Sequence, residues 1–295
     1  MLGSGMLDPR LNAYRDDLAD ARLRGTVTAH RYAEGRRARV VAGRAAVRRA
    51  ADPGAPLDTF YHYGEPILVF EEAGNWAWCQ SLDDGYVGYA ERKQIAFGAA
   101  ADPTHFVATM GSYLYEQPDM KLPPIDFLPR HSPVIVVESG RVTRGTDYAR
   151  LDTGGFVPLG CLSREPPRSP DIVAAAERYL GSPYLWGGKS FFGVDCSGLV
   201  QNVFRDIGVA VPRDTDMQRD SIGETVTIGG ESDLRRGDLL YMPGHVLIYA
   251  GGGEVIHASD GVMMVRRQLL AEFMAGRGFD FTSFVVRRHP AAAGG

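Results

Sequence analysis

Three side chains in the carboxyl-terminal half of the sequence are of types that together carry out nucleophilic catalysis. Cys196 supplies a thiol, and His245 and His257 supply two imidazoles on either side of a glycine-rich segment. A cysteine attacks as the thiolate, and an adjacent imidazole can take up its proton. A second imidazole can orient the first and stabilise the imidazolium that forms. The residue types therefore predict a cysteine nucleophile, Cys196, with His245 as its base.

The apolar spacing after Cys196 predicts a helix from about Cys196 to Ile207, with Asp195 or Ser197 able to cap its first turn. A thiol at a helix amino terminus lies near unpaired N–H groups and the positive end of the helix dipole, and both favour the thiolate. The alternative is a small buried apolar residue, which is the commonest role of a free cysteine.

A β-hairpin is predicted to bring the two histidines together. His245 begins one apolar strand and His257 ends the next, with Gly251-Gly252-Gly253 between them. If these three glycines form the loop, Ala250 pairs with Glu254, and His257 lies opposite Leu247 on the face that carries His245. A loop one residue shorter or longer would move one histidine to the other face. The alternative is a pair of half-buried strand histidines without a catalytic role.

Other motifs predict less. Gly188-Lys189-Ser190 resembles the end of a phosphate-binding loop, but Pro183 occupies the position of the required glycine. Ser197 lacks the glycine context of a serine nucleophile. Trp76 and Trp78 alternate in a β segment, which is typical of barrel core.

The elements that must position these residues follow from composition shifts along the chain. All-β texture dominates the first half, and a segment with three prolines in seven residues precedes a region that mixes helices and strands. The predicted order is an extension (1–35), a first barrel (36–100), a second barrel (101–163), a proline-rich linker (164–170) and an α+β domain (171–290). Within the extension, the pattern allows a short helix from Leu11 to Leu23.

Composition limits the class of partner. The 295-residue chain has a formal net charge of −4, which does not suit nucleic acid or an anionic membrane. Its three cysteines, Cys79, Cys161 and Cys196, show no disulfide or zinc-ligand spacing. The stretch from Met1 to Arg10 lacks the basic start and apolar run of a signal peptide. We therefore expect a soluble, cytoplasmic protein.

Motifs around Cys196 and the two histidines resemble the NlpC-type family of cysteine peptidases over Ile172 to about Arg288. The matching segments are Gly181–Gly188, Asp195–Val200, Pro212–Thr215 with Gln218, Arg236–Leu239, Gly244–Val246 and Ile256–Ala258. The resemblance implies an α+β fold: a permuted papain-like peptidase domain, preceded by two small all-β Src-homology-3-like barrels.

The resemblance also implies roles for individual residues. Cys196 is the nucleophile, His245 the base, and His257 the group that orients His245. Tyr184 matches a tyrosine whose hydroxyl lies near the oxyanion, a reasonable role for a phenol donor; its alternative is packing within the turn. Residues that match contacts to a γ-D-glutamyl group are Asp195, Ser197 and Thr215, the last where many members have serine. No metal or cofactor is implied.

The implied activity is that of a γ-D-glutamyl-L-diamino acid endopeptidase acting on short muropeptides in cell-wall recycling. Recycling members recognise a free N-terminal L-alanine through an acid and a tyrosine on the first barrel, and Asp52 and Tyr86 are the candidates here. The alternative for these two is an ordinary turn and a core tyrosine. Two other functions stay open: hydrolysis of intact wall with the barrels as anchors, and a catalytically silent wall-peptide binding module.

Overall fold

The computed structural model describes residues 7–98 and 102–292, and it divides into two units that meet between Pro166 and Pro167. This division falls within the proline-rich segment 164–170. The boundary that the sequence places between residues 100 and 101 lies outside the described residues. The first unit is built from strands and short 3-10 turns, whereas the second mixes α-helices with an antiparallel sheet. The predicted α+β class with preceding all-β barrels is thereby confirmed.

The amino-terminal extension forms a short parallel strand pair. Strands β1 (Leu18–Asp20) and β2 (Arg31–Ala33) pair in parallel, and a 3-10 turn over Ala21–Leu23 follows β1. The helix expected from Leu11 to Leu23 is therefore wrong. Leu18 lies in an apolar cluster with Phe70 and Trp78 of the first barrel, so packing against the barrel outweighs local helix propensity.

The first barrel is a seven-stranded sheet in the order β5-β4-β8-β7-β6-β3-β9. Its strands are β3 (Arg36–Val40), β4 (Arg44–Arg48), β5 (Leu57–His62), β6 (Pro66–Ala73), β7 (Trp76–Ser81), β8 (Val87–Glu91) and β9 (Ile95–Phe97). Alternate residues of these strands point inward and form one apolar core. Cys79 is fully buried in that core, which suits its apolar character.

The second barrel consists of a three-stranded sheet, β13-β10-β17, and a five-stranded sheet, β12-β11-β16-β15-β14. Its strands are β10 (His105–Val107), β11 (Gly111–Tyr115), β12 (Pro124–Pro129), β13 (Pro133–Val134), β14 (Val136–Thr143), β15 (Thr146–Leu151), β16 (Phe156–Pro158) and β17 (Leu162–Ser163). Its core includes Tyr63, a residue of the first barrel. The hydroxyl of Tyr63 lies 2.5 Å from Oγ1 of Thr153.

The second unit places its helices against a six-stranded antiparallel sheet in the order β20-β25-β21-β22-β23-β24. The helices are α1 (Ile172–Glu177), α2 (Cys196–Asp206), α3 (Thr215–Ser221) and α4 (Leu270–Ala275). The strands are β18 (Lys189–Ser190), β19 (Gly193–Val194), β20 (Glu224–Val226), β21 (Leu239–Met242), β22 (His245–Gly251), β23 (Glu254–Ser259), β24 (Met264–Leu269) and β25 (Val285–Arg288).

Helix α2 connects the core of the second unit to its chemistry. Leu199, Val203 and Phe204 form its buried face, and the helix packs against β22 and β23. Because Cys196 is the first helical residue, this packing sets where the thiol stands relative to the two histidine strands. No helix in the described part of the chain is long and apolar enough to cross a membrane.

Candidate active site

Cys196 occupies the first position of helix α2. Asp195 is the amino-terminal cap, and its carboxylate accepts a hydrogen bond of 2.7 Å from the backbone N–H of Gly198. A side-chain methyl group at Gly198 would lie 2.1 Å from the carbonyl oxygen of Gly188. Because Gly198 has no side chain, the loop backbone at Gly188 can pass directly over the first turn of α2.

The thiol of Cys196 lies beside the start of strand β22. Its sulfur is 3.9 Å from the carbonyl oxygen of Gly244, and the backbone N–H of Val246 donates toward it. These two residues flank His245. The structure therefore brings the predicted nucleophile and the predicted base to the same place, although 48 residues separate Cys196 from Gly244.

The hairpin that carries the histidines has the predicted register, but its loop differs from the predicted one. Gly251 pairs with Glu254, so the loop holds two residues rather than three, and a β-bulge at Ala250 adds the residue that the loop lacks. Beyond the bulge Ile248 pairs with Ile256. Continuing that register places His257 opposite Leu247, as expected, so both histidines lie on one face.

The two imidazoles are joined by a hydrogen bond of 2.8 Å between Nε2 of His245 and Nδ1 of His257. For His245 to act as a base through its other nitrogen, Nε2 must carry the proton and donate it to His257. His257 then has its own proton on Nε2, which is buried without a hydrogen-bond partner among the described residues. The ring of Phe273 lies parallel to His245 and edge-on to His257, which restricts both imidazoles.

Burial favours the neutral forms of Cys196, His245 and His257. It raises the pKa of the Cys196 thiol to about 12, and the Asp195 carboxylate acts in the same direction. It lowers the pKa of His245 to about 4 and that of His257 to about 3. Desolvation of Cys196 therefore opposes the thiolate that the helix position favours. The proton must move from sulfur to imidazole as the attack proceeds.

Tyr184 lies close enough to Cys196 to interact with its charge. Burial raises the pKa of the Tyr184 hydroxyl, and the thiolate of Cys196 is the second cause. Its backbone N–H donates to the carbonyl of Met263 at 2.9 Å, and Tyr184 forms a parallel bridge with Val194. A protonated phenol next to the nucleophile is a suitable donor to an oxyanion. This role stays a prediction.

Two of the three residues expected to contact the γ-D-glutamyl group are directed inward. Asp195 and Ser197 are 6% and 5% exposed, and both bind the buried guanidinium of Arg213. Thr215 is half-buried at the first position of α3. Contact of these three residues with a substrate stays a prediction.

The barrel candidates lie in different surroundings of the first unit. Tyr86 is 4% exposed and lines a cavity of about 440 Å³ together with Asp58 and Arg49. Asp52 is exposed, and its carboxylate accepts a 2.7 Å hydrogen bond from the backbone N–H of Gly54. Asp52 therefore stabilises its own turn, the alternative that the sequence left open.

Three buried residues of the site were not among the candidates: Arg213, Gln218 and Phe273. Arg213 and Gln218 lie in segments that carry the family resemblance, but nothing in residue type or spacing marks an arginine as buried. Phe273 is one apolar residue of a short helix, without a signal that sets it beside a histidine pair. In residues 7–98 and 102–292, no group of three or more His, Cys, Asp or Glu side chains is arranged to hold a metal ion.

Comparison with known sequences agrees with this architecture. Residues 181–280 match the NlpC/P60 family, and residues 47–95 match the bacterial dipeptidyl-peptidase Sh3 domain. The chain is 30% identical to a γ-D-glutamyl-L-lysine dipeptidyl-peptidase of Bacillus subtilis, over 68% of this chain and 72% of that protein. It is also 30% identical to dipeptidyl-peptidase 6 of Lysinibacillus sphaericus, over 68% of this chain and 79% of that protein.

A solved structure shares the fold. An NlpC/P60 family protein from Bacillus cereus superimposes with a TM-score of 0.69, covering 86% of this chain and 99% of that one at 20% sequence identity. At this identity the likeness concerns the fold alone, whereas the two curated relatives establish common descent over most of their own length. The chain belongs to the NlpC/P60 family of cysteine peptidases.

Proposed function

We propose that this enzyme hydrolyses the bond between a γ-D-glutamyl residue and an L-diamino acid in peptides derived from peptidoglycan. The observation that carries the proposal is the joining of Cys196 at the start of α2 with the hydrogen-bonded pair His245–His257. Relatives at 30% identity with the names γ-D-glutamyl-L-lysine dipeptidyl-peptidase and dipeptidyl-peptidase 6 support the bond that is cleaved.

The geometry supports a two-step acyl transfer. The sulfur of Cys196 attacks the γ-carbonyl carbon while its proton passes to Nδ1 of His245, and Nε2–H of His245 stays bonded to His257. The Tyr184 hydroxyl donates to the oxyanion of the tetrahedral intermediate. The amine of the diamino acid leaves with the proton held by His245, and water then hydrolyses the thioester and restores the thiol.

A preference for a free N-terminal L-alanine is the finer part of the proposal, as is a place in muropeptide recycling in the cytoplasm. An ammonium group needs a carboxylate partner. Beside Tyr86 that partner is Asp58, whose carboxylate now pairs with Arg49 at 2.5 Å. An amine that bound there would compete with the Arg49 guanidinium. Asp52 remains the candidate from the sequence.

The decisive experiment compares two peptides. We expect cleavage of L-Ala-γ-D-Glu-diaminopimelate, or of the L-lysine equivalent, to release the diamino acid, and the Cys196→Ala variant to lose this activity while it keeps its circular dichroism spectrum. The N-acetylated peptide should be cleaved at least about tenfold less efficiently, because the charge-assisted pair is lost.

Variants of the two acids assign the amine contact. Asp58→Asn should raise KM for the free peptide and leave cleavage of the acetylated peptide unchanged, whereas Asp52→Asn is the matched control. Equal cleavage of both peptides would contradict the free-amine preference and leave the peptidase activity standing. Cleavage of neither peptide, with binding retained, would favour a silent binding module; release of peptides from purified wall alone would favour a hydrolase of intact wall.

A further inference from the structure

The largest side chain that is fully buried in the described part of the chain is that of an arginine next to the nucleophile. Arg213 is 1% exposed and follows Pro212 in the segment that leads into helix α3. An arginine is rarely placed in a protein interior unless its charge is paired and its N–H groups are bonded. We therefore expect the buried guanidinium of Arg213 to have a partner of opposite charge, and the buried pair to have a role in the enzyme.

That partner is the cap of the nucleophile helix. Nη1 of Arg213 donates to Oδ1 of Asp195 at 3.0 Å, and Nη2 donates to Oδ2 at 2.6 Å, so both carboxylate oxygens are engaged by one planar guanidinium. Nη1 also donates to the hydroxyl of Ser197 at 2.7 Å. The residues immediately before and after Cys196 are thus held by one side chain.

The same carboxylate ties the approach loop to the helix. Oδ2 of Asp195 accepts from the backbone N–H of Gly187 at 2.8 Å, while Oδ1 accepts from that of Gly198 at 2.7 Å. Gln218 of α3 adds a brace by donating to the backbone carbonyls of Ser197 and Pro212 at 3.0 and 2.8 Å. Three chain segments therefore meet at a carboxylate one residue from the thiol.

A helix cap alone does not require this arrangement. Asparagine or serine at the cap would bond the first-turn N–H equally well and would need no buried counter-charge. A buried carboxylate next to Cys196 instead opposes the thiolate, and the Arg213 charge opposes that effect. Among the described residues, Tyr184 and Tyr241 also interact with the charge of Cys196. His245 directly follows Gly244, whose carbonyl oxygen lies 3.9 Å from the sulfur.

We propose that Arg213 is a positioning residue of the nucleophile: its guanidinium fixes the Asp195 carboxylate beneath the first turn of α2 and cancels the charge that this carboxylate presents to Cys196. The ion pair combines rigid anchoring of loop and helix with a nearly neutral surrounding for the sulfur. The proposal rests on Cys196 being the nucleophile, but its test needs no peptide substrate, so its failure is distinguishable from failure of the proposed peptidase activity.

The test measures alkylation of Cys196 by iodoacetamide at pH 8, followed on the Cys196 peptide by mass spectrometry. In Arg213→Met the unpaired carboxylate should lower the rate about tenfold, the equivalent of a one-unit rise in thiol pKa. In Asp195→Asn the unpaired guanidinium should raise the rate by a similar factor. The double variant Asp195→Asn/Arg213→Met carries neither charge and should return to within about threefold of the original rate.

These opposite signs separate positioning from general damage, since damage would move both single variants in the same direction. Labelling of Cys161 is the internal control and should stay constant. If Arg213→Met does not fold, Asp195→Asn and the double variant carry the test alone. Unchanged alkylation in the folded single variants, or a double variant more than about tenfold from the original, would overturn the proposal.

Discussion

At the scale of single residues, burial makes the histidine pair a pH-sensitive part of the fold. The pKa values of His245 and His257 lie at about 4 and about 3, whereas an exposed histidine in the unfolded chain titrates near 6.5. Below that value the unfolded chain takes up protons that the folded enzyme does not. The stabilising contribution is therefore complete above pH 6.5 and is lost as the pH falls toward 4.

We predict that the free energy of unfolding of the second unit falls by about 2 kcal/mol per histidine between pH 7 and pH 5. Urea titrations at both pH values measure this change by the fluorescence of Trp186 in a background where Trp76 and Trp78 are replaced by phenylalanine. His257→Asn should reduce the acid loss by about half, because its amide oxygen still accepts from His245 but does not titrate. A variant that is as acid-sensitive as the original protein would contradict the assignment.

The residues with chemical side chains were the most predictable part of the site. Cysteine and histidine are rare in this sequence, so a cysteine at a helix start and two histidines on adjacent strands were informative. The charge state was not predictable in the same way. Whether Cys196 is a thiol or a thiolate depends on how completely water is excluded from it, and that follows only from the folded surroundings.

At the scale of secondary-structure elements, helix α2 was predictable from the sequence because its apolar spacing, its cap and its packing all favour the same helix. The strand pair of the amino-terminal extension was not predictable in this way. A strand pair that packs on Phe70 and Trp78 replaces the expected helix, and that contact joins residues far apart in sequence. The hairpin lies between these cases, since its register was predictable but its loop length and bulge were not.

The close passage of a loop over α2 gives an unusual expectation for Gly198. Helix propensity alone predicts that Gly198→Ala stabilises the enzyme by about 1 kcal/mol. A methyl group would however lie 2.1 Å from the backbone oxygen of Gly188, so the loop must move and strain its bond to Asp195. We expect a loss of about 1–3 kcal/mol in the free energy of unfolding, together with a lower kcat.

Gly160→Ala is the matched control, because a methyl group there meets nothing within 4 Å. This substitution should change the free energy of unfolding by less than about 0.5 kcal/mol. Thermal or urea denaturation of both variants measures the difference. A Gly198→Ala enzyme as stable and active as the original would mean that the loop does not constrain the first turn of α2.

At the scale of the whole molecule, the two barrels of the first unit are not independent, because they share a core residue. Tyr63 emerges from the first barrel and is 1% exposed among the core residues of the second, where its hydroxyl contacts Thr153. A methyl group on the neighbouring Gly64 would overlap the backbone of Pro133. The sequence predicted two all-β segments of similar texture but contained no sign that they share a core residue.

We predict that Tyr63→Ala destabilises both barrels together. Removal of a buried aromatic ring costs about 3–5 kcal/mol. Trp76 and Trp78 report on the first barrel only, so their fluorescence in a Trp186→Phe background follows its unfolding. Relative to the original protein, the urea midpoint reported by these tryptophans should fall by the same amount as the midpoint of the first unit's transition in circular dichroism. A midpoint shift in circular dichroism alone would show that the barrels unfold independently.

The separation along the chain of the groups that meet at the thiol has a kinetic consequence. His245 and His257 are 12 residues apart and joined by a two-residue loop, so they can meet on the microsecond timescale of hairpin formation. The sulfur reaches its neighbours at the start of β22 only by closing a span of 48 residues, a slower non-local event. The histidine pair can therefore form before Cys196 reaches it. The proposed peptidase activity therefore depends on this slower, non-local contact and not on the hairpin alone.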